Sequence, residues 1–475
     1  MNRAVYLSVF GFAGAFALLQ TETCSTLDAQ LSVLELRVGH PEGEDRIEGF
    51  VPSGIYYKAN LPPQPETAVL VVESKDPTAT IEVTHDGEPL PLQNGTADVR
   101  APFQGSRLEI RVSLPDGDRL SYQVDIDRGH SYEALSQFVD DYVAANLRPF
   151  DVAGLAVLVM GPQGRVLERV YGLANLLEAA YIAANTPFNL ASLSKQFTAT
   201  AAMILYEEGR LDPSDLITDT FPEAPAEWVP ITVHHLLSHQ SGIPDFHNDA
   251  PGGIKDWTND EVLAWAVSQP LEFPPGGRYE YSNTGFALVA MLVERISGEP
   301  FPSFMQERIF TPLGMVDSSV PSEWPPDIPD RARSYLQSLL ADRPLRAMGE
   351  GNQYTSLRDL EIWEYAVRDA VLVSRETLNL MHTPHAFMGP GCGYGYGWVI
   401  CNFGGPTYLE HNGSSSGFRT ASRIVVEDGL AVFMLSNGSF TWTHQLANDL
   451  ALFYRGFGGA AAKALGPPHV PGDPI

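Results

Sequence analysis

A serine three residues ahead of a lysine, in Phe188-Asn-Leu-Ala-Ser192-Leu-Ser-Lys195, is a pair that can move a proton. The chain has only five lysines, and Lys195 alone has a serine at that distance before it. Thr186-Pro187 precedes the pair, and Phe197, Ala201 and Leu205 continue an apolar face as far as Gly209, so the pattern predicts a helix opening near Ser192. Spacing of three places both side chains on one face of that helix. The hydroxyl and the amine can then hydrogen-bond, and a lysine packed into a poorly hydrated site gives up its charge until it can accept a proton near neutral pH. The helix start adds positive potential and free N–H groups beside the hydroxyl. Standing alone, the same pair reads more simply as a serine cap and a surface lysine.

Two further groupings carry chemistry of the same kind. Tyr281-Ser282-Asn283 follows Phe273-Pro-Pro-Gly-Gly-Arg278 and opens a helix expected over residues 283 to 297. A phenol beside an ammonium is stabilised as phenolate, so Tyr281 is expected to share the base role with Lys195 and then to protonate a leaving group. Asn283 offers a donor and an acceptor to a substrate amide. His411-Asn412-Gly413-Ser414 ends a predicted strand, where Gly413 allows close backbone approach and an edge strand can lend N–H groups to an oxyanion hole. His411 is expected to titrate near its ordinary value of about 6.5 and to bind a substrate carboxylate or hold Tyr281 in place.

In this order the three groupings resemble the Ser-x-x-Lys, Tyr-x-Asn and Lys/His-x-Gly boxes of class C β-lactamases, D-alanyl-D-alanine carboxypeptidases, D-aminopeptidases and related esterases. Similar stretches are Ile231-Thr-Val-His-His-Leu-Leu-Ser-His-Gln-Ser-Gly-Ile-Pro244, Pro312-Leu-Gly-Met315, Tyr354-Thr-Ser-Leu-Arg-Asp359 and Leu435-Ser-Asn437. The resemblance covers some 300 residues, roughly 131 to 457. It implies a β-lactamase/DD-peptidase-like fold of the α/β (α+β) class and an acyl-enzyme serine hydrolase of amides or esters. Ser192 is then the nucleophile, Lys195 and Tyr281 the acid/base pair, Asn283, His411 and Gly413 substrate ligands, and the N–H groups of Ser192 and Ser414 the oxyanion hole. No cofactor or metal is implied, and the substrate is a small ester, peptide or β-lactam. The β-lactamases of the class carry lysine where this chain has His411, so the resemblance leans towards the peptidase and esterase branches.

The elements that must position these residues are predicted as an amphipathic helix from Ser131, a hairpin of Leu155–Met160 with Val166–Tyr171, strands at 394–401, 406–411, 421–427 and 430–436, and a last helix over 443–455. They compose an antiparallel sheet flanked by helices. Residues 31 to 129 alternate apolar and polar positions, as in Leu108-Glu-Ile110-Arg-Val112-Ser-Leu114, with turn signals between the runs; this predicts an antiparallel β-sandwich. Ala79-Thr-Ile-Glu-Val-Thr-His-Asp-Gly87 and Ser121-Tyr-Gln-Val-Asp-Ile-Asp-Arg128 are similar to cadherin-like sandwich modules of bacterial surface proteins. The stretch from Gly458 to residue 475 reads as a flexible tail.

Residues 4 to 19 form an apolar run behind Arg3, so residues 1–25 read as a signal peptide or retained anchor and the protein as exported to a periplasmic, cell-envelope or secreted location. Glu22 and Thr23 ahead of Cys24 argue against lipidation. Cys392 and Cys401, if joined by one extended strand, lie about 30 Å apart, which disfavours a disulfide between them. Acidic side chains outnumber basic ones by 58 to 30 in the 475 residues, giving a net charge of −28 that repels nucleic acid. Gly413-Ser-Ser415-Ser-Gly417 mimics a nucleophile elbow but is followed by strands instead of a helix. His235 and His239 have the spacing of helical metal ligands without a third ligand nearby, and are read as structural. A competing reading is a catalytically weak exported protein that binds cell-wall peptides.

Overall fold

A computed structural model describes residues 153–454 save 163, 250–255, 337–338, 344–345, 404 and 441, and the segments 5–8, 16–19, 31–38, 56–60, 68–74, 76–85, 87–99, 106–115, 119–127 and 132–146. Cys24 and the tail expected from Gly458 lie outside the described residues. The chain divides into two compact units, one holding the chain up to residue 135 and one holding residues 136–451.

Every regular element described before residue 128 is a strand. Within the expected apolar leader, Val5–Ser8 pairs with Phe16–Leu19. Leu31–Val38, Ala68–Ser74 and Thr96–Val99 form one antiparallel sheet, and five strands centred on Ser106–Ser113 and Arg119–Asp127 form another. Leu108, Ile110 and Val112 are buried while Glu109 and Arg111 are exposed, the alternation expected of a sheet with one wet face. The expectation of an all-antiparallel module needs correction: Tyr56–Asn60 runs parallel to Arg119–Asp127. Period two predicts that residues pair, but it carries no information on strand direction.

The larger unit starts in helix α1 (Tyr132–Asn146). Its sheet contains β1 (Leu155–Gly161), β2 (Gly164–Tyr171), β3 (Ala386–Gly389), β4 (Cys392–Tyr394), β5 (Val399–Cys401), β6 (Tyr408–Ser415), β7 (Phe418–Val425) and β8 (Leu430–Ser436). The order is β2-β1-β8-β7-β6-β5-β4-β3, all antiparallel, so the first hairpin joins the last strands as expected. Every residue of β1 is buried, on both faces. Ala156, Leu158 and Met160 share a core with helices α2 (Lys195–Glu207), α3 (Asn283–Ser297) and α4 (Leu357–Arg368), and α5 (Trp442–Tyr454) follows the last strand.

Two sequence expectations fail in informative ways. Residues 392–401 do not form one strand: they fold into the β4–β5 hairpin, which puts Cys392 opposite Cys401 and joins them in a disulfide. Gly397, at a φ of 81°, lets the chain make that tight return, and a rule based on extended length could not see it. Helix α2 is not amphipathic either, because all residues from Lys195 to Leu205 are buried. A helix enclosed on every side needs no polar stripe.

Candidate functional site

The nucleophile candidate sits in a 3-10 turn, Ala191–Ser194, that runs straight into α2. The Asn189 side chain accepts the Ala191 N–H at 2.9 Å, and Ala191 takes a left-handed φ of 48°, which fixes how Ser192 is presented. Ala191, Leu193 and Ser194 are buried, whereas Ser192 keeps partial access to solvent. Strand β6 closes on this turn. A Cβ on Gly413 would lie 2.1 Å from Thr420 Oγ1 and 2.3 Å from the Leu190 carbonyl, so no other residue fits there without moving the strand. The Thr420 hydroxyl donates to that same carbonyl at 2.7 Å and ties β7 to the turn. Gly413, expected as a substrate ligand, thus acts first as the point of contact between strand and nucleophile turn.

Lys195 is wholly buried, with its ammonium 4.9 Å from the centre of the Tyr281 ring and 5.6 Å from that of Phe286. Nζ lies 3.2 Å from Ser192 Oγ, 2.8 Å from Asn283 Oδ1 and 2.6 Å from the Glu350 carbonyl oxygen. Two N–H bonds are therefore committed to carbonyl oxygens, and the third tetrahedral position faces the serine. Burial pushes the lysine down to about 8, against the opposing pull of the Glu350 and Asp245 carboxylates.

Tyr281 and Asn283 flank Ser282, whose hydroxyl caps α3 by accepting the Gly285 N–H. His239 Nδ1 accepts the Ser282 N–H at 3.1 Å, and its ring lies 4.3 Å from that of Tyr281, so this histidine sets the tyrosine wall. His235 instead caps its own helix through the Thr232 N–H. The Tyr281 hydroxyl interacts with Ser192 but has no well-aligned hydrogen-bond partner. Burial raises Tyr281 well above the ordinary tyrosine value. This corrects the expected phenolate: desolvation of the ring outweighs the opposing hydrogen bond with Ser192, and the group stays a phenol. Asn283, expected to bind substrate, has its amide oxygen on Lys195 and its nitrogen on Asp245 Oδ2 at 2.9 Å.

His411 departs further from expectation. It is buried, Nδ1 donates to the Asn412 carbonyl at 2.7 Å, and Nε2 accepts from the Tyr394 hydroxyl at 3.0 Å. Burial, reinforced by the charge of Lys195, holds the imidazole down at about 3, so it is neutral across the physiological range and has no ring nitrogen to spare for a carboxylate. Downstream of it, Ser414 is partly exposed. Among the described residues, strand β5 pairs with Tyr408–Glu410 of β6 and stops short of Ser414. Ser415 lies within β6 and the chain then turns into β7, with no helix after it.

Sequence reasoning missed Asp245, His247, Glu350 and Tyr394. Of these, Glu350 had a visible signal. An acid between two glycines, Gly349-Glu350-Gly351, marks close backbone packing, and a Cβ on Gly349 would lie 2.5 Å from the Phe286 carbonyl.

The profile of the family described as "Beta-lactamase" matches residues 139–455. Penicillin-binding protein 4* of Bacillus subtilis is 27% identical over 296 residues, covering 56% of this chain and 64% of that protein. The D-aminopeptidase of Gluconobacter oxydans is 27% identical over 354 residues, covering 71% of this chain and 64% of its own length. The chain thus spans just under two thirds of both relatives. Among solved structures, the octameric penicillin-binding protein homologue from Pyrococcus abyssi superposes with a TM-score of 0.59 at 28% identity, over 70% of this chain and 77% of that one. The D-amino acid amidase from Ochrobactrum anthropi SV3 does so with a TM-score of 0.59 at 26% identity, over 71% and 99%.

Proposed function

The chain belongs to the beta-lactamase family, whose relatives here are serine hydrolases, and on that premise we propose that it hydrolyses amides or esters through an acyl-enzyme on Ser192. The observation that carries the reading is the lysine amine held by two carbonyl oxygens with its remaining position 3.2 Å from the serine hydroxyl. Neutral Lys195 takes the Ser192 proton as Oγ bonds to the substrate carbonyl carbon. The negative charge that develops on the carbonyl oxygen is received by the N–H groups of Ser192 and Ser414, the latter on β6 beyond the part that pairs with β5. Collapse of the tetrahedral species expels the amine or alcohol, which leaves with the proton Lys195 took up, relayed by the Tyr281 hydroxyl. Water then attacks the acyl group, its proton passing to the same base, and Ser192 is restored.

The substrates we infer are peptides or amides of D-amino acids and short esters, with β-lactams as poor substrates. A neutral, fully engaged His411 cannot supply the permanent charge that a lysine would offer a penicillin carboxylate. Relatives named D-aminopeptidase, D-amino acid amidase and esterase agree with that preference. Export to the cell envelope is supported by the apolar run near the N-terminus and by the Cys392–Cys401 disulfide, a bond that persists in oxidising compartments. We assign residues 31–129 to an accessory cadherin-like module and residues 131–457 to a hydrolase domain that works without it.

A fluorophosphonate probe tests the chemistry: it is expected to label Ser192, located by peptide mass, and to leave a folded Ser192→Ala chain unlabelled. Label elsewhere, or on the variant, overturns the assignment. A panel of D-amino-acid amides, short-chain esters and a chromogenic cephalosporin reads the preference, and a shortened chain starting at His130 that hydrolyses the ester reads the independence of the domain.

A further inference from the structure

Around Lys195 lies a set of ionisable groups, Asp245, His247 and Glu350, that none of the three boxes contains. Glu350 approaches the lysine twice, through its main-chain oxygen at 2.6 Å and through its carboxylate, whose Oε2 is 3.9 Å from Nζ. The other carboxylate oxygen is 3.5 Å from His247 Nε2. The opposite nitrogen of that imidazole, Nδ1, is 3.3 Å from Asn283 Nδ2, which also donates to Asp245. The lysine, one amide, two carboxylates and one imidazole thus form a single connected group; Lys195, Asn283 and Glu350 are buried, whereas Asp245 is half-buried and the imidazole keeps 25% of its side chain exposed.

The remaining titratable groups around the lysine are uncharged. Burial drives His239 well below its ordinary value, brings His411 to about 3 and lifts Tyr281 well above the tyrosine range. The charges that act on Lys195 are therefore Glu350, Asp245 and His247. Burial expels the lysine proton, and the two carboxylates hold it back.

We propose that Glu350 is a positioning residue for the reaction: its main-chain oxygen aims the lysine amine, its carboxylate sets how firmly Lys195 holds its proton, and His247 moderates that carboxylate. Removing a negative charge about 4 Å from an ammonium lowers the proton affinity of the amine by one to several pH units. His247 carries the opposite sign when protonated and acts in the opposite direction. Its affinity for a proton is raised by Glu350 and Asp245 despite burial.

The role rests on Lys195 being the proton acceptor, and the test separates the two ideas. The rate of Ser192 labelling by a fluorophosphonate is followed from pH 5 to 10 in the unmodified chain, Glu350→Gln, His247→Gln and Lys195→Ala. Glu350→Gln retains the main-chain oxygen and the side-chain shape, and its labelling midpoint is expected to fall by about one to two pH units, with a lower plateau because a weaker base remains. His247→Gln is expected to move the midpoint upwards by a smaller amount. A residue needed only for packing would change the amplitude and leave the midpoint in place. An unmoved midpoint in folded Glu350→Gln overturns the proposal; if that chain does not fold, an unmoved or lowered midpoint in His247→Gln does so. Loss of labelling in Lys195→Ala alongside an unmoved Glu350→Gln profile removes only the role of Glu350. Full labelling in Lys195→Ala removes the proton-acceptor reading itself.

Discussion

The two sides of Lys195 are built from different materials. Towards Ser192 and the partly exposed strand β6, the wall is aromatic and uncharged: His239, Tyr394 and His411 are buried, Tyr281 is half-buried, and each is held in its neutral form. On the far side stand the two carboxylates and the imidazole of Asp245, Glu350 and His247. Neutral walls strengthen each remaining dipole because little water is there to screen it, while the buried anions keep the lysine titrating near pH 8 instead of lower.

The comparison breaks most visibly at its centre. Lys195→Ala removes the one group shared by both sides, and acylation is expected to fall on the order of 10⁴-fold, measured as kcat/KM on a small ester in a chain whose circular dichroism is unchanged. A loss below tenfold would mean that another group takes the serine proton. Tyr281→Phe tests the neutral wall. Because Tyr281 is a phenol and not a phenolate, its removal should cost about 10²- to 10³-fold on an amide, less on an activated ester whose leaving group needs no proton, and should leave the acidic limb where it was. Equal losses on both substrates would assign the tyrosine to binding instead.

Gly413→Ala separates architecture from chemistry. The new methyl meets the Leu190 carbonyl at 2.3 Å, so β6 must shift away from the nucleophile turn. Stability is expected to drop by about 1–3 kcal/mol, read from denaturant midpoints, and acylation to fall with it. The smallest effect concerns pH. Lys195 must be unprotonated to act as a base, so acylation rises with pH through about 8 and is lost below it. His411, neutral down to about 3, contributes no limb between pH 5 and 7, and affinity for a carboxylated ligand should be flat there. A limb near 6.5 that disappears in His411→Gln would restore the free imidazole that the sequence suggested.

What the sequence revealed of this site follows from how each residue is specified. Ser192 and Lys195 were legible because the spacing is local: once a helix begins at the serine, three residues decide which face both side chains share. The helix after Tyr281-Ser-Asn and the strands around His411 were legible for the same reason, through caps and period-two runs. Asp245 and His247 lie about 100 residues from Glu350 in sequence, and the packing of both segments on α3 brings them to one lysine. The states of Tyr281 and His411 were misjudged because a neighbouring charge is visible in a motif, whereas desolvation is a property of the whole fold. The disulfide was missed through a turn: Gly397 closes a hairpin where alternating apolar residues suggested a straight strand.

Helix α2 offers one more consequence. It carries the lysine in its first turn, and every residue from Lys195 to Leu205 is buried. A segment so enclosed has no route to open locally, and its amide hydrogens are expected to exchange with deuterium only when the surrounding core comes apart. The slowest-exchanging amides of the larger unit should then lie in α2, immediately beside the most reactive hydroxyl. Exchange there and loss of acylating activity should follow the same denaturant dependence, since the base has no way to lose its place while the rest of the core stays folded.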